Sequence, residues 1–185
     1  MKNTLTSYFI GISLILFSKI AFSATDGTVT FSGAIIDTPC NVTLSPGASN
    51  SSLAIDMGVY MKDKVPSTSG QKVTGSERPL AFRLKDCPHY DGYSIVPKIT
   101  FKANEDDHNP KLIKLDGSGV EGVGIGLYDD SGNLLDIRDI YQHNIATPKG
   151  GELFIIPFKV AYVSNGETAK PGKANASISF EIAYK

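Results

Sequence analysis

GKANASISFEIAYK, residues 172–185, alternates along almost its whole length. Ala174, Ala176, Ile178, Phe180, Ile182 and Tyr184 are apolar or aromatic. Lys173, Asn175, Ser177, Ser179, Glu181 and Lys185 are polar, with Ala183 the one exception between them. A period of two means a β-strand with one buried face. Such a strand needs a neighbour on both edges, because an uncovered edge is a template for aggregation. The fold turns on what lies beside this one.

A second alternation lies towards the other terminus, with Gly27, Val29, Phe31, Gly33 and Ile35 on one face and Thr28, Thr30 and Ser32 on the other. Between the two, short apolar runs follow one another. Asn41–Leu44 ends in the turn-forming SPGASNSS, and Leu53–Tyr60 reads as a strand with a glycine break. Residues 61–77 are polar and read as a loop or ragged edge. Leu80, Phe82 and Leu84 share a face, and Pro97 is expected to push its strand to an edge or a bulge. Val123, Ile125 and Leu127 precede an Asp129–Gly132 turn, and Glu152–Ser164 is the longest apolar run. No stretch has a helical period. About eight strands punctuated by turns indicate a β-sandwich.

The first residues give an address. Lys2 precedes an apolar run from Tyr8 to Phe17, and Ala21 and Ser23 are small residues suited to cleavage, so residues 1–23 read as a secretory signal. A membrane span needs roughly 20 apolar residues, and Ser18 and Lys19 interrupt the run too early. Removing this segment takes away Lys2 and Lys19 and no acid, leaving a slightly negative chain. That balance offers no electrostatic reason to bind nucleic acid or anionic lipid. The chain has two cysteines, Cys40 and Cys87. In an exported protein a lone pair is most simply one disulfide, and closing so long a loop stabilises by roughly 4 kcal/mol in the chain-entropy model.

Nothing in the sequence points to catalysis, a metal or a cofactor. His89, His108 and His143 sit in polar, turn-like contexts and read as surface residues. The run Glu105-Asp106-Asp107 lacks the alternating ligands and glycine of a calcium loop and reads as a solvated turn. The glycines of GSGVEGVGIG have no phosphate-loop lysine and no following helix, and no serine sits in a G-x-S-x-G elbow. The glycosylation sequons at Asn41, Asn50 and Asn175 arise easily in so Ser/Thr-rich a chain; a glycan on Asn175 would obstruct strand pairing.

Taken in order, these pieces resemble a known family. The G-x-V-x-F-x-G arm (Gly27, Val29, Phe31, Gly33), Asp56 with Gly58 and Val59, F-x-L-x-x-C (Phe82, Leu84, Cys87), V-G-I-G-L-Y-D-D-S-G, I-P-F-K-V-A-Y, and a glycine fourteen from the end with a penultimate tyrosine (Gly172, Tyr184) are similar to chaperone–usher pilins of the type 1-like fimbrial major subunit family. The resemblance covers essentially the whole chain.

It implies an all-β, incomplete immunoglobulin-like sandwich lacking its final strand. A periplasmic chaperone first lends the missing strand, and the arm of the next subunit later replaces it. Residues 24–36 would be the donor arm, with Gly27, Val29, Phe31, Gly33 and Ile35 facing inward. Residues 37–185 would be the pilin domain. Gly172, Ala174, Ala176, Ile178, Phe180, Ile182 and Tyr184 would line the acceptor groove, and the Lys185 carboxylate would be held by basic residues of the chaperone. The implied partners are that chaperone, an outer-membrane usher and neighbouring pilins, in a homopolymer. The implied route runs through the periplasm to a fimbrium on the cell surface, where it supports adhesion. The alternative is a minor, adaptor or adhesive subunit with a carbohydrate-binding role.

Overall fold

The computed structural model describes residues 40–47, 51–88, 95–117, 120–148 and 151–184. The donor arm proper, His89 and Lys185 therefore lie outside the described residues. Seven strands are present among those described: β1 (Asn41–Ser45), β2 (Arg78–Lys85), β3 (Pro97–Lys102), β4 (Val123–Tyr128), β5 (Ile140–Gln142), β6 (Phe154–Ser164) and β7 (Ser179–Tyr184), with one 3-10 turn at Lys62–Lys64. No α-helix occurs among them, and no helix is long and apolar enough to cross a membrane.

The strands form two antiparallel sheets, ordered β1-β2-β6-β4 and β5-β3-β7. Alternation decides which side chains enter the space between them. Leu80, Phe82 and Leu84 of β2 point inward, as their spacing predicts, and so do Ile156 and Phe158 of β6. Phe82 is the hub of the core. Its ring makes edge-on contacts with Phe101 of β3, Phe158 of β6 and Phe180 of β7, the last at 4.7 Å between centroids. Edge-to-face pairs of this kind add about 0.5–1.5 kcal/mol each beyond the apolar area they bury. The Cys40–Cys87 disulfide forms as expected and pins the start of β1 to the end of β2.

Two strand readings of the sequence need correction. Pro97 does not demote its strand: β3 lies in the middle of its sheet, and Pro97 is its first residue, a position that needs no ladder N–H. Pro157, within the longest strand, is tolerated for a related reason: β4 pairs with β6 only as far as Lys159, so that edge of β6 is unpaired at residue 157. The second correction concerns residues 53–60, which form no strand and belong to no ladder.

β4 is buried on both faces. The connection after β3 crosses over it, and Ile113 exchanges backbone hydrogen bonds with Ile125 at 2.8 and 3.0 Å. Leu112 and Leu134 then pack on the outer face with Tyr128, Ala161 and Val163. This accounts for the glycines of the VGIGLY run. A Cβ at Gly124 would lie 2.9 Å from the Leu112 Cβ, and one at Gly126 would lie 2.8 Å from the Val163 methyl.

Candidate functional site: an open apolar groove

β7 pairs with β3 along one edge, in the register Phe180↔Phe101 and Ile182↔Ile99. Its other edge has no ladder partner among the described residues. Beside that edge lies a cleft of about 850 Å³. One wall is the run into β7, residues 174–180; the other is the extended segment 51–58. The floor is the core itself, with Leu44, Phe82, Phe101, Ile125 and Val160 at its surface.

Both walls alternate. Ala174, Ala176 and Phe180 turn towards the core from one side, and Leu53, Ile55 and Met57 do so from the other. Ile178 belongs to the same face as Phe180, yet it is 38 % exposed. Ile182 and Tyr184 continue the series and pack against the core, with the Tyr184 phenol raised by burial and in contact with the Cys40 backbone N–H. Gly172 sits in an exposed bend ahead of the wall. The arrangement is two extended segments with apolar faces directed at one vacant, strand-shaped space.

Sequence reading found one wall and missed what fixes the pair. Arg78, at the start of β2, donates from Nε to the Asp56 carbonyl at 3.0 Å and from Nη2 to the Met57 carbonyl at 3.3 Å. The same Nη2 reaches the Tyr60 hydroxyl at 3.0 Å. Gly58 takes a positive φ of 81°, and its N–H donates to Asp56 Oδ1 at 2.9 Å, which turns the chain out of the wall. The Asp56–Gly58 pair was visible in the sequence; its tie to Arg78 carries no periodic signal. Opposite, the Tyr162 hydroxyl donates to the Ala174 carbonyl at 2.6 Å, and its ring meets that of Tyr60 edge-on.

Two groups depart from their sequence reading. Asp106 is buried rather than solvated. Its carboxylate accepts both oxygens' bonds from Asn165 Nδ2 at 3.0 Å and bonds from the His108 and Asn109 backbone N–H groups, so it anchors a turn. His143 is half-buried against Phe154 and hydrogen-bonded to Tyr141, and burial lowers its pKa. His108 is exposed, 3.5 Å from Glu167. A polar depression lined by Asn104, Glu105, Asp107, Lys114 and Asp116 has Asp107 already paired with Lys114 at 2.6 Å. No group of three potential metal ligands occurs among the described residues.

A family model described as fimbrial protein matches residues 29–185. The chain is 24 % identical over 174 residues to long polar fimbria protein A of Salmonella typhimurium, covering 94 % of this chain and 92 % of that one. It is 27 % identical over 175 residues to the probable major fimbrial subunit LpfA of Escherichia coli O157:H7, covering 94 % and 93 %. The fold is similar to that in the crystal structure of the P pilus rod subunit PapA, with a TM-score of 0.61 at 18 % identity over 80 % of this chain and all of that one.

Proposed function

The chain belongs to the fimbrial protein family, and on that premise we propose that it is a structural fimbrial subunit that polymerises by strand donation. Residues 24–36 of one copy enter the groove of the next, with Val29 and Phe31 directed at the floor. The observation that carries this is the groove: two apolar-faced walls tied to the fold, with no strand between them among the described residues. Residues 1–23 direct export, a periplasmic chaperone fills the groove until assembly, and an outer-membrane usher passes the subunit to the surface fimbrium. The subunit's work is assembly, through backbone pairing and burial of apolar side chains.

Phe31→Asp tests the reading. Burying a Phe side chain stabilises by about 1.5–3 kcal/mol, and a carboxylate in that pocket adds a desolvation cost. The variant subunit should accumulate normally in its chaperone-bound form and be lost from surface fibres. Equal loss of both forms would instead make the arm an internal strand, and loss of neither would remove it from assembly.

A further inference from the structure

The two walls end at the same place, and the same side chains finish both. In an extended chain, successive carbonyls point to opposite edges. The Asn175 carbonyl accepts the Asp116 backbone N–H at 2.6 Å, on one side of the wall. The Ala174 carbonyl therefore belongs to the groove side, where a strand lying in the groove would pair with it. That position is already filled by the Tyr162 hydroxyl, 2.6 Å away.

Tyr162 is held in place by its own backbone. Its N–H donates to Ser76 Oγ at 3.0 Å, its carbonyl accepts the Val73 N–H at 2.8 Å, and it stands opposite Ile125 in the β4–β6 ladder. Ser76 is itself fully buried, so this bracket is not loosened by solvent. Across the groove, the Tyr60 ring lies 5.9 Å from that of Tyr162, and the Tyr60 hydroxyl is shared with Arg78 and the Gly75 carbonyl. Arg78 in turn holds the Asp56 and Met57 carbonyls, just where Gly58 leads the chain away.

We propose that Tyr162, backed by Tyr60 and Arg78, is a register stop: it occupies the groove-side acceptor of Ala174, so an inserted strand pairs with this wall no further than Ala176. The inference rests on the strand-donation reading above and adds where the inserted strand must end. The wall left open, Ala176 to Tyr184, is equal in length to the alternating stretch Gly27 to Ile35. The stop thus matches groove to arm and rejects an insertion slipped by one pair, which would leave a buried polar group unmatched.

Amide hydrogen exchange on assembled fibres of the full mature chain, read by fragment mass analysis, tests this. In the wild type, arm amides opposite Ala176–Tyr184 should be protected, and none should be protected opposite Ala174. Tyr162→Phe keeps the ring and frees the carbonyl; one further amide at an end of the arm should then slow by about tenfold or more, with protection of β4 and β6 unchanged. An unchanged boundary in Tyr162→Phe overturns the stop, as does loss of protection spread evenly through β4 and β6. Wild-type protection opposite Ala174 overturns it with no variant needed. An arm exchanging freely throughout would sink strand donation itself, and the stop with it.

Discussion

The β4 edge and the β7 edge of this sandwich meet the same physical problem and solve it differently. Each presents backbone groups that must be paired and apolar side chains that must be covered. At β4 the chain closes its own edge: Ile113 bonds reciprocally to Ile125, and Leu112, which is fully buried, lies over the outer face. At β7 the chain places segment 51–58 opposite, tied to Arg78, while Tyr162 holds the Ala174 carbonyl of the facing wall, and a cleft of about 850 Å³ lies between them. The molecule has the means to cover an edge and uses them at β4. The opening beside β7 is a built feature, with walls, a floor and a closed end.

That contrast can be broken or sharpened by substitution. The largest effect belongs to the Cys40–Cys87 bond, which pins the start of β1 to the end of β2. Replacing Cys40 and Cys87 together with serine should cost roughly 4 kcal/mol, a large share of a typical 5–15 kcal/mol stability. The yield of folded, exported subunit should fall steeply; an unchanged yield would show that the core alone suffices.

Next comes the closed edge. Leu112→Ala removes a fully buried side chain and should destabilise by about 2–5 kcal/mol, read from denaturant unfolding of the mature chain. A cost similar to that of an exposed residue would mean that Leu112 does not seal β4. The open edge should behave otherwise. Ile178→Ala, at a side chain already 38 % exposed, should alter the subunit's own stability by no more than about 0.5 kcal/mol, yet lower the temperature at which fibres dissociate. A subunit cost as large as that of Leu112→Ala would make the groove wall part of the closed core.

The smallest effect is one of pH. Burial lowers the His143 pKa in the folded state, so its contribution is present above the ordinary histidine value, near 6.5. It is lost as pH falls from there through the depressed folded value. Between pH 7.5 and 5.5 the unfolding midpoint should drop modestly, and His143→Gln should flatten that slope. An identical slope in the variant would assign the pH dependence elsewhere.

Alternation made β2, β4 and β7 legible from the sequence, because a strand's inward face is written every second residue, and β6 was legible as the longest apolar run. The disulfide was legible because an exported chain with two cysteines has one simple pairing. The other wall of the groove was only half legible. Leu53, Ile55 and Met57 alternate, but alternation does not say whether a strand joins a ladder or stands off from one.

The sequence by itself marks the stretches Gly27 to Ile35 and Ala174 to Tyr184 by apolar residues at every second position; the first lies outside the described residues. Tertiary structure alone decided that residues 51–58 face that wall, that Asp106 is buried against Asn165, and that Tyr162 fills the acceptor of Ala174. Each of these is a contact between polar groups or bare backbone on segments distant in sequence. A hydrophobic period records which face is buried; it carries no record of which hydroxyl or guanidinium, arriving from another strand, completes a carbonyl's hydrogen bond.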